Sequence, residues 1–528
     1  MMEQRTISRT QLKRQNTTET VIVLAFFLFL LALGLLLYQD YGLTWDDLAQ
    51  VEIGELNFNY AYQGDPALFS LKNRYYGPLF EMLLHWITRD LADPQRFFSR
   101  HLLTFFSFYL GMIFFYKLTK RITRNWLFGL LGCIILLLSP RIFAHSFYNS
   151  KDIPFMAMFI IAVYTLIKFL DKKNLLNALI HALGSAMLIA LRAPGILIPA
   201  LTLGFLLLEV LVRSKRTSIK MTILTGVLYA IITGGLTILF WPILWHDPLN
   251  EFINALQQMS KFPWLGGVVF YRAQFVDAQQ LPWHYIPLWI LITTPLAYLA
   301  LAGLGAIKES ISFFASKGLI VTARKRNFLI LTAWSVLPIL AVISLKSVLY
   351  DAWRQMFFIY PAIVLFAMLG LQAIYNLRTA QLPRQVFIAI SILIFLGIIL
   401  APLNFMLNNH PHQNVYFNRL GGEDMARVKR HYELDYWGLS YKQGLEYILA
   451  NDPSDTIMIN VANAPGKINS HILPFEQAAR LQYVETPEEA DYFLTNYRYH
   501  PESYEYENEV QSIMVGNVSI LSIFKIQP

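Results

Sequence analysis

About eleven apolar runs of roughly 20 residues, almost free of charged side chains, recur through the sequence. A run of that length is what an α-helix needs to cross a bilayer. Only 15% of the residues are charged, whereas about a quarter are charged in an ordinary soluble domain. The sequence therefore predicts an α-helical polytopic membrane protein. The runs lie at approximately 20–38, 101–116, 126–142, 153–169, 175–191, 193–212, 221–244, 285–306, 328–345, 356–376 and 385–406.

Lysine and arginine residues lie in alternate loops between these runs. They cluster at the N-terminus, 117–124, 172–173, 213–220, 308–326 and 378–384. Positively charged loops stay on the cytoplasmic side during insertion, so these loops and the N-terminus are predicted to be cytoplasmic. The remaining loops and the C-terminus are then extracytoplasmic. The net charge of +8 is spread over separate short loops, which is not the pattern of a nucleic-acid-binding surface.

The chain divides into two predicted domains. Residues 1–406 hold the apolar runs and a long first outer loop, 39–100, with interfacial helices. Residues 407–528 are polar and lack a run long enough to span a membrane, which predicts a small extracytoplasmic α/β domain. Its expected strands are 456–461, 491–495 and 512–525, and its expected helices are 440–450 and 474–482.

The first outer loop carries two adjacent acids, Asp46 and Asp47, just after Thr44. Thr44 and Asp47 have the spacing of a capping box at the start of a helix. Adjacent helical residues point about 100° apart, so one acid can cap the helix while the other faces a cleft. Asp46 is therefore the candidate general base that takes a proton from an acceptor hydroxyl. A purely structural role for both acids is the alternative.

A second outer loop places His145, Asn149, Lys151 and Asp152 within eight residues. In the structural interpretation, Asp152 caps a helix that has Pro154 in its first turn. In the functional one, Asp152 is a second carboxylate that orients the acceptor or holds a metal. Two further histidines follow the last apolar run, yet the sequence has no HExxH motif or other ligand set at metal spacing.

Cations at the same predicted face suit a phosphate leaving group, because fixed positive charge stabilises the charge that develops in the transition state. Contacts with lipid headgroups are the competing explanation for each of these cations. Arg74 is equally suited to anchor the loop at the membrane interface. Tyr76, Tyr350 and Asp351 lie in the same loops and are further site candidates. The candidate phosphate-binding cations are Arg74, Arg192, Lys346 and Arg354.

Several strings resemble one enzyme family. Besides the acidic pair after the first run, they are YGPLFE at 76–81, HSFYNSKDIPF at 145–155, LYDAWRQMFFIYP at 349–361, HPHQNVYFN at 410–418 and ELDYWGLSYKQGLEY at 433–447. These strings are similar to those of the polyprenol-phosphate-dependent glycosyltransferases of family 39, which includes the protein O-mannosyltransferases. The similarity extends over most of the chain and is strongest to the bacterial branch.

The resemblance implies a GT-C fold, a polyprenyl-phosphate sugar donor and inverting transfer at the extracytoplasmic face of a bacterial inner membrane. It matches Asp46 with the family's general base, Asp47 with a position that is Glu in many members, and Asp152 with the second outer acid. The acceptor is a protein, a lipid or a glycan. No cofactor is implied with certainty, and a divalent metal stays open because family members differ in metal dependence. A transporter or flippase of a lipid-linked substrate is the alternative function.

Overall fold

The computed structural model describes residues 9–212, 218–264, 266–315, 322–377 and 383–526. Short 3-10 helices at Pro66–Ser70, Ala193–Ile196, Pro242–Trp245 and Arg354–Ile359 join longer helices. A hairpin of β1 (Val268–Tyr271) and β2 (Gln274–Asp277) interrupts the helical part. The helices before the C-terminal segment are α1 (Arg9–Leu37), α2 (Asp47–Gln63), α3 (Leu79–Thr88), α4 (Gln95–Thr123), α5 (Trp126–Leu137), α6 (Pro140–Tyr148), α7 (Asp152–Asp171), α8 (Leu175–Leu191), α9 (Leu197–Leu211), α10 (Ile219–Phe240), α11 (Pro248–Ser260), α12 (Tyr285–Thr293), α13 (Leu296–Ala315), α14 (Ala323–Leu345), α15 (Tyr360–Leu377), α16 (Arg384–Phe395) and α17 (Ala401–Asn408).

Within the described ranges, nine helical stretches are long and apolar enough to cross a membrane. The chain is thus a multi-pass membrane protein, and the predicted class of an α-helical bundle is confirmed. The nine stretches are Thr17–Leu37, Gln95–Thr123, Asp152–Asp171, Ala193–Leu211, Ile219–Phe240, Leu296–Ala315, Ala323–Leu345, Arg354–Leu377 and Ser391–Asn408.

Two of the eleven predicted runs do not form straight spanning helices. The run 126–142 is divided into α5 and α6, which are bent by 73° at a break before Pro140. Proline cannot donate the backbone hydrogen bond that would continue α5, so a new helix begins at that residue. The run 175–191 is α8, a helix of 17 residues whose length is about 25 Å. With these two, the helices correspond one for one to the predicted runs.

A third run is shifted along the chain. The sequence predicts a span at 285–306, but Pro295 separates α12 from α13 there. The spanning helix is Leu296–Ala315, which lies about ten residues further on. The break has the same physical cause as the one before Pro140.

Basic loops of the helical part meet at one end of the bundle, named here the basic end. Arg121 and Arg326 both donate to the carboxylate of Asp171, which joins two loops that are far apart in sequence. Close by in sequence, Lys173 is paired with Glu209 at 2.6 Å. These contacts support the prediction that alternate loops share a side. The predicted basic residues Arg5, Arg213, Lys215, Arg216, Lys317 and Arg378 lie outside the described residues, as do the side chains of Arg9, Lys13, Arg14 and Arg384.

The elements of the C-terminal segment are α18 (Met425–Lys429), α19 (Tyr441–Asn451), β3 (Ile457–Val461), α20 (Pro465–Ile468), α21 (Phe475–Ala478), β4 (Leu481–Tyr483), β5 (Tyr492–Thr495), β6 (Glu509–Val515) and β7 (Val518–Lys525). The strands form a five-stranded sheet in the order β4-β3-β5-β7-β6. Strands β4 and β5 pair parallel with β3, whereas β7 pairs antiparallel with β5 and β6. The helix α19 packs its apolar face on the sheet through Leu445 and Ile448.

The predicted α/β character of this segment is confirmed, with two local differences. The expected strand 512–525 is a hairpin, because Gly516 adopts a φ of 61° and turns the chain back. The expected helix 474–482 is only α21 followed by β4, because Leu481 is buried in the sheet instead of continuing the helix.

The C-terminal domain is seated on the end of the bundle opposite the basic end. Asn469 accepts a hydrogen bond from the Leu43 N–H at 2.8 Å and donates to the Leu43 carbonyl at 2.9 Å. The hairpin β1–β2 contributes another contact, from Ala273 N–H to the His431 carbonyl at 3.1 Å. The first outer loop is therefore held between the helical bundle and the C-terminal domain.

Candidate active site

Seven charged residues form one connected network of ion pairs at this end of the bundle, which is named the site end. We refer to the network as the acid–arginine cluster. Its members come from the start of α2, the start of α7, the α8–α9 connection, the segment before α15 and the C-terminal domain. The members are Asp46, Lys151, Asp152, Arg192, Asp351, Arg354 and Arg498.

Asp46 is the carboxylate of the cluster that is open to solvent. Its side chain is 27% exposed and lies 2.6 Å from the Lys151 ammonium and 3.4 Å from the Arg354 guanidinium. Burial alone would raise the pKa of Asp46, but the charges of Lys151 and Arg354 offset that effect and hold the pKa below its ordinary value. Asp46 is consequently ionised at neutral pH and can accept a proton.

Asp47 is turned away from these cations and is almost completely buried. One carboxylate oxygen accepts hydrogen bonds from both the backbone N–H and the hydroxyl of Thr44, each at 2.7 Å. The bond from the Thr44 N–H is half of the predicted capping box. The other half is absent among the described residues, because α2 begins at Asp47 with Asp46 as its N-cap, and the Thr44 hydroxyl donates to the carboxylate instead of accepting the Asp47 N–H. Burial raises the pKa of Asp47 to about 6, although the hydrogen bonds from Thr44 act in the opposite direction. The two adjacent acids therefore differ in partners and in acidity.

Asp152 is buried at the first turn of α7 and makes contacts on both carboxylate oxygens. One oxygen accepts from Arg192, and the other accepts from Arg354 at 3.1 Å and from the Asn149 amide at 3.0 Å. Lys151 is the N-cap residue of α7, and the Asn149 oxygen accepts the first N–H of the helix, that of Asp152, at 2.9 Å. The structural interpretation of Asp152 as its own cap is thereby corrected, because Asn149 frees the aspartate side chain for the arginines.

Arg354 connects the three carboxylates of the cluster. Its guanidinium lies 3.4 Å from Asp46, 3.1 Å from Asp152 and 2.8 Å from Asp351. Asp351 also accepts from Trp437 Nε1 at 2.9 Å. A planar guanidinium presents five donors in a fixed geometry, so its orientation is set by these partners.

Four other predicted site residues surround the cluster. Lys151 lies 5.9 Å from the ring centre of Tyr76, and Arg354 lies 5.1 Å from that of Tyr350. The rings are thus close enough to shield the cations from water. His145 is completely buried, and its ring nitrogens lie 3.0 Å from the Asn149 amide and 3.3 Å from the Tyr436 hydroxyl. His145 therefore contacts Asn149 inside the protein and is not exposed to solvent.

Two of the four predicted phosphate-binding cations lie elsewhere. Arg74 donates to the Phe69 carbonyl at 3.0 Å and covers the ring of Tyr75, which fits the anchoring role left open for it. Lys346 is exposed at the end of α14 and lines a cavity of about 480 Å³ beside Trp283, away from the carboxylates of the cluster. Arg192 and Arg354 are therefore the predicted cations that the fold brings to the carboxylates.

The sequence interpretation missed Arg498, which comes from the C-terminal domain and contacts Asp351 at 2.8 Å. Nothing in the local sequence around it indicates an active site, because the contact depends on how the two domains dock. Trp437 was also missed as a site residue. A signal for it existed, since it lies within one of the strings, 433–447, that carry the family resemblance.

Glu81 links the two outer loops. Its carboxylate is buried, forms an ion pair with Arg100 at the start of α4, and accepts from the Ser150 hydroxyl. Burial raises the pKa of Glu81, while Arg100 and Ser150 lower it. Through its contact with Ser150, Glu81 joins the loop that carries Lys151 and Asp152 to the first outer loop, which carries Asp46.

A mostly apolar cavity of about 430 Å³ lies beside the cluster. Arg192 lines it, and the Nε of this arginine is buried and has no hydrogen-bond partner among the residues that the structure describes. At the rim, Ile196, Leu337 and Leu345 are exposed on helices that have the length and composition of membrane spans. Its further lining includes Tyr76, Phe155, Leu197, Ala200, Leu256, Met259, Phe262, Ala341, Val342 and Tyr350.

The described residues contain no group of three His, Cys, Asp or Glu side chains placed to hold a metal ion. Asp46 and Asp152 instead take cationic side chains as partners. The two histidines after the last run have separate partners, since His410 contacts Asp40 and His412 contacts Gln443, both at 2.7 Å. The cluster in this arrangement does not fit a metal centre.

Comparison with protein families identifies one stretch of the chain. Residues 77–241 match the family model of dolichyl-phosphate-mannose-protein mannosyltransferase. The family resemblance seen in the sequence is confirmed over this stretch. The matched stretch includes Glu81, Lys151, Asp152 and Arg192, and it ends before Asp351. No curated protein sequence matches the chain.

Two solved structures show a similar path of the chain. The apo oligosaccharyltransferase of Archaeoglobus fulgidus is 12% identical with a TM-score of 0.47, and the match covers 88% of this chain and 65% of that one. This chain thus spans 65% of the length of the archaeal protein. ArnT from Cupriavidus metallidurans, bound to undecaprenyl phosphate, is 12% identical with a TM-score of 0.46, covering 96% of this chain and 98% of that one.

Proposed function

We propose that the protein is an integral-membrane glycosyltransferase that moves a sugar from a polyprenyl-phosphate donor to an acceptor hydroxyl. The observation that supports this most directly is the acid–arginine cluster beside the apolar cavity. A polyprenyl-phosphate sugar has an apolar tail, an anionic phosphate and a reactive sugar in that order. The cavity, Arg192 with Arg354, and Asp46 follow one another in the same order. The match of residues 77–241 to a mannosyltransferase family adds independent support.

The donor tail is proposed to lie in the cavity of about 430 Å³ between α9, α11 and α14. Small-molecule sites are usually apolar clefts of about 300–1,000 Å³ with a few placed polar groups. Arg192 supplies such a group, because its Nε is buried and finds no hydrogen-bond partner in the described part of the chain. A phosphate oxygen at that nitrogen would complete a charge-assisted hydrogen bond.

The cluster has the net charge that a phosphate needs. Three carboxylates, from Asp46, Asp152 and Asp351, face four cations, from Lys151, Arg192, Arg354 and Arg498, which leaves one positive charge within the ion-paired network. Glu433 is a further buried carboxylate that acts on Arg498, and burial raises its pKa to about 7. As the sugar leaves, the phosphate oxygen gains negative charge. Fixed cations already placed at that oxygen stabilise the transition state without having to reorganise.

The chemical step uses Asp46 as general base. The acceptor oxygen attacks the anomeric carbon from the face opposite the phosphate, and its proton passes to the Asp46 carboxylate. The bond from the anomeric carbon to the phosphate oxygen breaks, and polyprenyl phosphate leaves with the bonding electrons. One carbon–oxygen bond forms as another breaks, so the configuration at the anomeric carbon is inverted.

Donor binding is expected to make Asp46 a stronger base. In the free protein, Lys151 and Arg354 hold the pKa of Asp46 low. A phosphate at the cluster competes for the same cations, so their attraction for Asp46 weakens and its pKa rises toward the working pH. Proton transfer is most effective when the pKa of the base lies near that pH.

The site end is proposed to face the extracytoplasmic side of a bacterial inner membrane. The positive-inside rule supports this orientation, because Arg121, Lys173 and Arg326 lie at the opposite, basic end. The acceptor class, whether protein, lipid or glycan, is left to experiment.

The test compares a gene-deletion strain complemented with wild-type protein, with Asp46→Asn, or with Asp65→Asn. Asp65 caps a 3-10 helix in the same outer loop, accepting the Ala67 N–H at 2.9 Å, and serves as the matched control. Mass spectrometry of lipids, glycans and membrane proteins should show a glycosylated product restored by wild type and by Asp65→Asn. Asp46→Asn should lower its formation by about 10²–10⁴-fold, the usual contribution of a general base.

Two results would contradict the proposal. Full product formation by a membrane-inserted Asp46→Asn variant would remove Asp46 as the base. Exchange of polyprenyl-phosphate sugar across liposomes by the purified protein, with no product in any strain, would instead favour the alternative function of a flippase.

A further inference from the structure

Arg498 is buried at the centre of the site end although it belongs to the C-terminal domain. It follows strand β5, is 7% exposed, and lies 5.2 Å from the ring centre of Trp45. Trp45 immediately precedes Asp46. The C-terminal domain therefore places a cation beside the candidate base.

The partners of Arg498 fix its guanidinium in two directions. One nitrogen donates to the Tyr436 carbonyl, and another donates to Asp351 Oδ1 at 2.8 Å. The other oxygen of Asp351 accepts from Arg354 at 2.8 Å and from Trp437 at 2.9 Å. Asp351 thus stands between two arginines, one from each domain.

Both loops that meet at this contact have an unusual backbone. Asp351 and Ala352 have φ values of 56° and 60°, and Tyr497 and Tyr499, on either side of Arg498, have φ values of 59° and 63°. Residues with a side chain rarely adopt positive φ, and such conformations persist where the surrounding structure imposes them. The two loops are held in these conformations where the ion pair forms.

We propose that Arg498 is a positioning residue for the donor phosphate, acting through Asp351 and Arg354. The charge of Arg498 offsets that of Asp351. Asp351 therefore attracts Arg354 less strongly, and the positive charge of Arg354 remains available for the phosphate. This proposal rests on the proposed function, since it concerns the donor site of the same enzyme. It assigns the C-terminal domain a part in donor binding.

The electrostatic consequence of losing Arg498 is definite. Without it, three carboxylates face three cations, and the positive charge left in the cluster is lost. The full charge of Asp351 then acts on Arg354 in a buried site, where charges interact more strongly than in water. The cluster should bind a phosphate less tightly, although Arg192 and Arg354 are still present.

The experiment measures binding of undecaprenyl phosphate to purified protein, together with the KM for the donor and for the acceptor once the product is known. Arg498→Gln is expected to weaken binding by about tenfold or more and to raise the donor KM, with the acceptor KM unchanged. Arg498→Lys should recover part of the loss, because it keeps the charge. A variant that only impaired folding would lower the active fraction and leave both KM values unchanged.

Arg480→Gln is the matched control. Arg480 lies in the same domain and donates to the backbone carbonyls of Leu449, Asp452 and Ser454. Its loss should affect the stability of the domain but not the affinity for undecaprenyl phosphate. Wild-type affinity in folded Arg498→Gln, or equal weakening in Arg480→Gln, would overturn the proposal.

The double variant Asp351→Asn/Arg498→Gln tests whether Arg498 acts through Asp351. If it does, removing both charges should restore much of the affinity lost in Arg498→Gln, and the two effects should be clearly non-additive. Additive losses would contradict the proposal. If Arg498→Gln alone folds poorly, the double variant is compared with Asp351→Asn instead, and a clearly lower affinity of the double variant would contradict the proposal.

The binding assay also separates this inference from the proposed function. A protein that binds undecaprenyl phosphate with the expected order of variants, yet forms no glycosylated product, would refute the transferase and leave the role of Arg498 standing. A wild-type protein that does not bind undecaprenyl phosphate would overturn both.

Discussion

Asp46 and Asp47 are neighbours in the chain, but their carboxylates have different surroundings. Asp46 faces two cations that lower its pKa, whereas Asp47 is buried against Thr44 and has a pKa raised to about 6. A pKa close to neutral is often taken to mark a general base. Here the geometry argues otherwise, because both Thr44 donors occupy one oxygen of Asp47, while Asp46 is the more exposed of the two.

The raised pKa of Asp47 predicts a dependence of stability on pH. Its folded-state pKa of about 6 lies above the ordinary value of 3.8, so the folded state binds the proton more tightly than the unfolded chain. The resulting stabilisation is complete below about pH 4 and is lost as the pH rises through 6. The difference corresponds to about 3 kcal/mol, at 1.36 kcal/mol per pKa unit.

Asp47→Asn removes this titration while keeping an oxygen for the Thr44 donors. We therefore expect the melting temperature of Asp47→Asn, relative to wild type, to rise between pH 4.5 and pH 7.5 in detergent. Effects of other titrating groups cancel in the comparison. Melting curves of the two proteins that shift in parallel over this range would contradict the assigned pKa.

At the scale of elements, the start of α7 determines how Asp152 is presented. Asn149 accepts the first N–H of the helix with its oxygen and holds the Asp152 carboxylate with its amide group, at 2.9 and 3.0 Å. One side chain thus performs both a structural and a positioning role. Pro154 in the first turn is compatible with this start, because the first turn has no intrahelical acceptor for its missing N–H.

Substitutions of Asn149 should separate these two roles. Asn149→Ala removes both contacts and should cost about 1 kcal/mol of stability together with activity. Asn149→Asp keeps a cap but sets a negative charge beside Asp152, so activity should fall further. Thermal unfolding and product formation measure the two effects.

Asn174→Ala is the control for this series. Asn174 caps α8 at the basic end, accepting the Asn177 N–H at 2.8 Å. It should lose similar stability and keep its activity per folded molecule. Equal activity losses in Asn174→Ala and Asn149→Ala would show that helix capping alone explains the result.

The helix α14 forms one wall of the apolar cavity and predicts where a donor tail can be blocked. Ala341→Trp would fill part of the cavity of about 430 Å³. We expect the affinity for undecaprenyl phosphate to fall by about tenfold or more, equivalent to ~1.4 kcal/mol. Val336→Trp is the control, because Val336 is exposed on the same helix and is not part of the cavity lining. Similar binding by both variants would place the tail elsewhere.

At the scale of the whole molecule, the bundle has two chemically different ends. The basic end carries arginines paired with Asp171, and the site end carries the acid–arginine cluster under the C-terminal domain. The first outer loop is enclosed between the bundle and this domain through Asn469. Apart from Asp46, which is 27% exposed, the charged groups of the cluster are therefore covered by protein, which strengthens interactions among their charges.

The orientation of the two ends is testable by labelling of single cysteines. The chain has one cysteine, Cys133, which is buried, so Cys133→Ala provides a clean background. Gln63→Cys and Ser503→Cys at the site end, and Lys172→Cys at the basic end, replace exposed residues. A membrane-impermeant maleimide should label the first two in intact cells and the third only after permeabilisation. The opposite pattern would invert the proposed topology.

Part of the candidate site was predictable because it depends on local properties of the chain. Hydropathy and the alternation of basic loops indicated which segments share a side of the membrane. That pattern placed Asp46 and Asp152 in loops at the same face. Where helices actually break was less predictable. Pro140 and Pro295 interrupt runs that are strongly apolar on average, and hydropathy does not register the missing hydrogen-bond donor of proline.

The sequence by itself determined that the chain is a membrane bundle with acids and cations at one face, because these features are set by composition and spacing along the chain. Only the tertiary structure decided which of those charges meet. Arg192 and Arg354 reach the carboxylates while Arg74 and Lys346 do not, and Arg498 joins them from another domain. The physical reason is that an ion pair requires a separation of about 4 Å or less in space, and for residues more than a hundred positions apart that separation is created only by packing.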